Sequence, residues 1–284
     1  MEPEVFNVSC SSPGAGDTLA AMWAVASIKA CGGRVVFHTI GDAANAAARL
    51  FLTEEEMGNG GRQKVEFFLP TKPAYLGTVD KSRARYYFDK LPERFKWSGM
   101  VAPTPRPHVF PIAEDMGKIL IFPHSIWSGR SYPEHLWARV AAALEKDGRE
   151  VVFFTTPNHL HVLEYLKVTD RRAAASWLHL SRAISGASLV LCNDSGPLHL
   201  AAALGVPTVA VFAQMTPVGL VGDYPTVTPV VPTWAGTCAG CHWQPERGHG
   251  NAPLCRASTC HELPQISPLA IIHAARAKLA ERVG

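Results

Sequence analysis

The 284-residue sequence is poor in charge, and features that define several protein classes are missing from it. Charged residues make up 18% of the chain, and the formal net charge of +3 includes no run of five basic residues. Electrostatic binding of nucleic acid is therefore not expected. No apolar run reaches the length of a membrane-spanning helix, and the acidic start Met1-Glu2-Pro3-Glu4 is unlike a signal peptide. We expect a cytoplasmic protein with at most peripheral membrane contact.

The composition is that of a well-buried globular protein, because 47% of the residues are apolar. The length allows two domains. Pro103 to Pro111 contains four prolines and cannot sustain a helix or a central strand. We therefore expect a linker there, between an N-terminal domain at 1–110 and a C-terminal domain at 111–284.

The N-terminal half alternates strand and helix signals. Val5 to Ser9 predicts a strand, and a helix with Leu19 on its apolar face follows a glycine-rich loop. Asp17 lies where an N-cap or first-turn residue would lie. A strand from Arg34 to Ile40 and a helix from Ala43 to Leu52 come next. The loop lacks the lysine of a P-loop and the spacing of a dinucleotide fingerprint, so it is weak support for nucleotide binding.

The C-terminal half restarts the same alternation. Lys118 to Phe122 predicts a strand, and a possible capping box between Ser131 and Glu134 opens a helix. Val151 to Phe154 predicts the next strand. Further helices are expected at 159–166 and 180–184.

The stretch from Leu189 to Phe212 predicts a short βαβ unit. The strand Leu189 to Cys192 ends at the turn Asn193-Asp194-Ser195-Gly196, and a helix from His199 to Leu204 stops at Gly205 before the next strand. Free amides at such a helix start favour an anion, especially phosphate.

Particular residues of the turn support this interpretation. Asp194 or Ser195 can cap the helix, and Gly196 lets a ligand approach the backbone closely. His199 follows Ser195 by four positions and shares its helix face. The alternative is a capped helix with a packed histidine.

A cysteine cluster lies near the C-terminus in a loop at 238–260. Cys238 and Cys241 form C-x₂-C; thirteen residues separate Cys241 from Cys255, and four separate Cys255 from Cys260. The spacing is compatible with a tetrahedral four-thiolate site for structural zinc or iron. Reduced thiols or two disulfides are the alternative.

The motif from Asn193 to Thr208 resembles glycosyltransferase family 9, the ADP-heptose heptosyltransferase family, whose pattern is Asp-(Ser/Thr)-Gly, two residues, His, a small-residue helix and Gly-x-Pro. Gly16-Asp17 is similar to its N-terminal motif. His124-Ser125 with Arg130 to Glu134 is similar to its middle motif, although Arg130 stands where Lys is usual. Thr216-Pro217 matches a family loop.

This resemblance implies a GT-B architecture, an α/β fold of two Rossmann-like domains facing each other across a cleft, and an inverting, metal-independent glycosyltransferase. Asp17 would be the general base, and Arg130 with the Ser195-Gly196 turn would bind the donor diphosphate. Asp194 and His199 would lie in the donor site. The remaining positions expected to bind the nucleotide sugar are Gly16, His124 and Thr216.

The resemblance leaves other readings open. Asp17 could be only an N-cap, Arg130 a solvated surface charge and His199 a core residue. A related cysteine loop in some relatives resembles an iron-binding element. The donor would be ADP-heptose or another nucleotide-diphosphate sugar, and the acceptor a saccharide, lipid-linked or protein hydroxyl. A non-catalytic scaffold with a metal-binding loop, or an enzyme using a different nucleotide sugar, are the alternatives.

Overall fold

The chain is described by a computed structural model that covers residues 5–10, 14–58, 67–69, 81–97, 99–106, 108–125, 130–155, 170–213, 216–233, 260 and 262–281. The chain divides into two compact units, residues 1–109 with 218–223, and residues 110–217 with 224–284. Each unit is built on a parallel β-sheet. The expected α/β class is confirmed.

The first unit has a parallel sheet with strand order β2-β1-β3. Its elements are β1 (Val5–Cys10), α1 (Ala15–Ala30), β2 (Arg34–Thr39), α2 (Asp42–Ala48), β3 (Phe67–Leu69) and α3 (Arg83–Asp89). Helices α2 and α3 both pack on α1, which therefore buries residues on nearly all sides.

The second unit has a parallel sheet with strand order β6-β5-β4-β7-β8-β9. Its strands are β4 (Ile119–Phe122), β5 (Val151–Thr155), β6 (Arg171–Ala173), β7 (Leu189–Asn193), β8 (Thr208–Val211) and β9 (Val227–Val230). Its helices are α4 (Glu134–Lys146), α5 (Trp177–Gly186), α6 (Gly196–Ala203) and α8 (Pro268–Ala280), while the short α7 (Pro217–Val221) leads from this unit into 218–223.

The strand order of the second sheet reverses between β4 and β7. In an open α/β sheet, ligands bind at the carboxyl ends of the strands at such a switch point. Strands β4, β5, β7 and β8 are buried along their whole length, as expected when helices cover both faces. On α4 the residues Leu136, Val140 and Leu144 face this core.

The start of the helix in the βαβ unit differs from the sequence prediction, whereas its stop at Gly205 agrees with it. Helix α6 begins at Gly196 rather than at His199, because Pro197 is compatible with a first helical turn. Gly205 ends it with φ of 72°, a left-handed conformation that glycine adopts without strain. The helix expected at 159–166 lies outside the described residues. None of the helices in the described ranges is long and apolar enough to cross a bilayer.

The capping box predicted between Ser131 and Glu134 is wrong. Helix α4 begins at Glu134 with Pro133 as N-cap and no side-chain cap. The Ser131 hydroxyl instead accepts a hydrogen bond from the Ser125 amide at 3.0 Å, and Glu134 contacts His124. Both side chains are used to fix the loop after β4.

Candidate functional site

Asp17 lies in the first turn of α1. Gly14 is the N-cap and Gly16 precedes Asp17 in the same turn, so the reading of Asp17 as an N-cap is wrong. The Asp17 side chain is only 11% exposed and forms an ion pair with Arg83, the first residue of α3. The positive end of α1 and the guanidinium both favour the charged carboxylate.

Arg130 and Asp194 form an ion pair in the second unit. Nη1 of Arg130 lies 3.1 Å from Oδ2 of Asp194, and the side chains are 18% and 7% exposed. Arg130 is therefore not the solvated surface charge that was the alternative to phosphate binding. Asp194 directly follows β7, so the pair lies at the carboxyl end of that strand, beside the switch point.

Ser195 and Gly196 form the start of α6. Ser195 occupies the N-cap position without a side-chain cap, and its hydroxyl donates to the Asn193 carbonyl at 3.2 Å. The predicted capping by its side chain is therefore wrong, because the hydroxyl turns back toward β7. The first amides of α6 do not use that hydroxyl.

Gly196 lies close to an aromatic side chain. A Cβ at Gly196 would lie 2.9 Å from the end of the Trp177 ring, which belongs to the first residue of α5. The indole therefore lies directly against the start of α6. Nothing near Gly196 in the sequence indicates this contact.

His199 is 4% exposed and faces Tyr224. Its Nδ1 lies 3.2 Å from the Tyr224 hydroxyl, and the two rings meet edge to face at 5.9 Å. The residues are 25 positions apart, so no local sequence signal indicates the pair. Both functional and core readings of His199 are compatible with this position.

His124 is held through both ring nitrogens. Its Nε2 lies 2.9 Å from the Glu134 carboxylate and its Nδ1 lies 3.2 Å from the Thr155 hydroxyl. Since a carboxylate only accepts, Nε2 carries the proton toward Glu134. The two contacts fix the imidazole plane just beyond β4.

Asn193 is a site residue that the sequence interpretation missed. It is fully buried, its amide nitrogen donates to the Pro123 carbonyl at 2.8 Å, and its Oδ1 accepts from the Tyr132 amide at 2.9 Å. It therefore joins the loop after β4 to the end of β7 at the switch point. A polar residue closing an apolar strand just before Asp194 was the available signal.

Tyr132 extends this support into the core. Its hydroxyl donates to the Ile266 carbonyl at 2.8 Å, and its ring packs edge to face on Trp137. Burial raises the pKa of Tyr132 to about 12, so the hydroxyl stays a donor across the physiological range.

Thr216 lies between β8 and α7. Its Oγ1 is buried, and no hydrogen-bond partner for it is found within the described part of the chain. A buried hydroxyl in that position is available to a bound ligand.

The predicted metal ligands Cys238, Cys241 and Cys255 lie outside the described residues. Cys260 is described and is 8% exposed, in the core that also contains Leu263 and Ile266. Among the described residues no group of three or more metal-ligating side chains is present.

Solved structures of similar fold come from bacterial glycosyltransferases. ADP-heptose LPS heptosyltransferase II from E. coli is 13% identical, with 98% of this chain and 100% of that chain covered at a TM-score of 0.66. A glycosyltransferase family 9 protein from Veillonella parvula is 14% identical, with 99% of each chain covered and a TM-score of 0.65. The iron-containing dodecameric glycosyltransferase TibC from enterotoxigenic E. coli is 15% identical, with 99% and 78% covered at a TM-score of 0.71.

These similarities establish the fold class as that of the GT-B glycosyltransferases. The model of glycosyltransferase family 9 (heptosyltransferase) matches residues 102–230 of this chain. The recognition of the family from sequence is confirmed, as is the enzyme class, a glycosyltransferase of the heptosyltransferase type. A comparison with curated proteins finds no significant match.

Proposed function

We propose that this protein is an inverting glycosyltransferase that moves a heptose-like sugar from ADP-heptose, or another nucleotide-diphosphate sugar, to an acceptor hydroxyl. The Arg130–Asp194 pair carries this proposal, because a partly buried arginine and a buried aspartate lie beside the start of α6 at the switch point of the second sheet. This arrangement offers a cation and helix amides to one anionic ligand.

The donor diphosphate binds to Arg130 and to the amides of the Ser195-Gly196 turn. A guanidinium makes bidentate contacts with phosphate oxygens, and preorganised donors stabilise the charge that develops on the departing diphosphate. The buried hydroxyl of Thr216 supplies a further donor. With these groups the reaction needs no catalytic metal.

The choice of ADP-heptose follows relatives rather than this chain's own residues. The E. coli heptosyltransferase WaaC has been solved with ADP and with ADP-2-deoxy-2-fluoro heptose. TibC has been solved in complex with ADP-D-β-D-heptose. We carry this donor to the present chain as a proposal.

The histidines and Asp194 orient the donor site. The fixed imidazole of His124 lies at the end of β4, within reach of the same switch point. Asp194 aligns Arg130 and the start of α6. His199 contacts the Tyr224 hydroxyl. This contact favours a role in holding α6 in place over direct contact with the donor.

Asp17 acts as the general base, and Gly16 precedes it in the same turn of α1. Its carboxylate takes the proton of the acceptor hydroxyl while the hydroxyl oxygen bonds to the anomeric carbon. The bond from that carbon to the diphosphate oxygen breaks on the opposite face, and the nucleotide diphosphate leaves with the electron pair. The sugar therefore inverts. General base catalysis of this kind contributes about 10²–10⁴-fold.

A second part of the proposal is a structural zinc or iron on Cys238, Cys241, Cys255 and Cys260. Four thiolates are a donor set that both metals accept, and a closed site of four ligands leaves no position for chemistry. The burial of Cys260 in the core suits a structural role. TibC is an iron-containing relative.

Metal content can be measured by mass spectrometry on protein purified without added metal. About one zinc or iron per chain is expected, with loss of that metal in Cys260→Ser. The matched control is Cys31→Ser, which changes a thiol that donates to the Phe95 carbonyl instead. A metal-free wild-type protein that folds and catalyses would overturn this part.

Sugar transfer is tested by following ADP release from ADP-heptose in the presence of chelator. Saccharide, lipid-linked and peptide hydroxyl acceptors are offered separately. Acceptor-dependent release from the wild type supports the proposal and identifies the acceptor class. If the protein transfers sugar preferentially from a UDP- or GDP-sugar, the proposed glycosyl transfer is supported but the proposed ADP-heptose donor is wrong. The cytoplasmic location expected from the sequence stays a prediction.

A further inference from the structure

Arg83 lies at a position that its own helix does not favour. It is the first residue of α3, where the positive end of the helix macrodipole disfavours a cation. Its side chain is nonetheless 12% exposed and paired with Asp17 of α1. Arg83 therefore does not stabilise α3 through the helix dipole. Its position is explained by the ion pair with Asp17.

The start of α3 is itself fixed. Ser82 is the N-cap, and its hydroxyl accepts from the Arg85 amide at 3.0 Å and donates to Asp223 at 2.6 Å. A seven-residue helix is marginal in isolation, so such contacts decide whether it forms. Because the cap is anchored, Arg83 reaches Asp17 from a defined backbone position.

We infer that Arg83 is a positioning residue, whose guanidinium holds the Asp17 carboxylate charged and in one orientation for the acceptor hydroxyl. The inference rests on the proposed role of Asp17 as the base. In the reaction Asp17 takes the proton and becomes neutral, while Arg83 keeps its own protons. The pair therefore loosens in the same step in which the acceptor oxygen bonds to the sugar.

Other ionisable residues lie on the elements that pack against α1. The elements packed on α1 include β1, β2, α2 and α3. Parallel strands place the carboxyl ends of β1 and β2 at the same edge as the start of α1. The ionisable residues at the ends of these strands and in the first turns of α2 and α3 are Cys10, His38, Asp42, Arg83 and Arg85. Arg83 forms an ion pair with Asp17.

The ionisation of Asp17 can be measured without catalysis. Aspartate labelled with ¹³C at the carboxyl carbon gives a shift that reports its protonation by NMR, and Asp17→Asn assigns the Asp17 signal. The comparison uses wild type, Arg83→Gln, Arg83→Lys and the matched control Arg85→Gln. Arg85 lies on the same helix but contacts Asp223, and the Ser82–Asp223 contact stays in place without it.

We expect the titration midpoint of Asp17 to rise by about 1–3 pH units in Arg83→Gln, since a nearby opposite charge favours the charged form by that amount. Arg83→Lys restores most of the shift, and Arg85→Gln leaves it unchanged. An unshifted midpoint in a folded Arg83→Gln protein would overturn the inference, as would an equal shift in Arg85→Gln.

Catalysis supplies the second measurement. In Arg83→Gln we expect kcat to fall about 10–100-fold as the carboxylate loses its orientation, with ADP affinity unchanged. Partial rescue by Arg83→Lys is expected. An unchanged kcat with a shifted midpoint would remove the positioning role. If the wild type transfers no sugar but the midpoint shifts as expected, the proposed function fails and the pairing stands.

Discussion

Asp17 and Arg130 have complementary roles in the proposed reaction, because one accepts a proton and the other stabilises a departing anion. Both side chains are largely buried, and each lies against a residue of opposite charge. The charge of each is thus set by the fold before any substrate binds. Substitutions at the two positions are expected to affect different kinetic parameters.

Asp17→Asn should lower turnover about 10²–10⁴-fold, since the amide cannot take the acceptor proton. Affinity for the nucleotide should stay within about twofold, because the substitution lies outside the diphosphate contacts. Steady-state kinetics and calorimetry measure the two effects. The control is Asp89→Asn, which removes an exposed acid paired with Lys81. Wild-type turnover in Asp17→Asn would exclude Asp17 from the mechanism.

Arg130→Ala should weaken ADP binding about 10–100-fold, because a charge-assisted contact to phosphate is lost. Asp194 would be left buried without its partner, so some loss of stability is expected as well. Arg130→Lys keeps a positive charge next to Asp194, so it separates the loss of ADP affinity from the loss of stability. If calorimetry finds equal ADP affinity in the wild type and a folded Arg130→Ala protein, Arg130 does not contact the diphosphate.

The residues predicted from sequence are those whose signal is local. Asp194, Ser195 and Gly196 follow an apolar strand. A turn of these residue types between a strand and a helix is typical of an anion-binding helix start. Arg83 and Tyr224 could not be predicted, because each meets its partner only after distant segments pack together. Their roles depend on tertiary structure and have no adjacent motif.

At the scale of elements, the start of α6 combines packing with the proposed phosphate contact. Gly196→Ala should destabilise the protein by about 1–3 kcal/mol, because the added methyl group meets the Trp177 ring at 2.9 Å. Urea denaturation measures the loss. Adding Trp177→Leu should recover part of it. A Gly196→Ala protein of wild-type stability and reduced ADP affinity would mean that glycine is needed for the ligand alone.

Strand β6 gives the second unit a pH-dependent contact. Arg172 donates to Asp170 at 2.7 and 3.1 Å, and this hydrogen bonding lowers the pKa of Asp170. A lowered folded pKa means that the contact stabilises the fold above the unfolded value of about 3.9. The stabilisation is lost as the pH falls through the lower, folded pKa.

When the pH is lowered from about 5 to about 2, the free energy of unfolding should therefore decrease less in Asp170→Asn than in the wild type. Urea titrations across that range measure the difference. Asp115 contacts the same arginine, but burial raises its pKa. Its effect on the pH dependence of stability therefore has the opposite sign to that of Asp170, and it is present in both the wild type and the variant. Parallel loss of stability in both proteins would contradict the assignment to Asp170.

The elements were predictable where periodicity is strong, as in α4 and the strands of the second sheet. The predictions failed at helix starts. Ser131, Glu134 and Ser195 have the residue types of caps, but their side chains bind the backbone or side chains of neighbouring loops. Residue type indicates a hydrogen bond, and only the packed loop decides its partner.

At the scale of the whole molecule, chain order and structural unit do not coincide everywhere. Residues 218–223 follow the switch-point strands in sequence but belong to the first unit. Asp223 binds Ser82 and Arg85 there. A polar residue in a short loop gives no signal for a partner more than a hundred positions away, so this docking was not predictable from sequence.

In the proposed reaction the second unit binds an ADP-sugar through Arg130 and the start of α6. The most direct test is calorimetric titration of the intact protein with ADP, UDP and GDP, with magnesium and with chelator. We predict binding of ADP in preference to the others, unaffected by chelator and weakened in Arg130→Ala. Preference for UDP or GDP would contradict the donor, and absence of binding by all three would contradict the site itself.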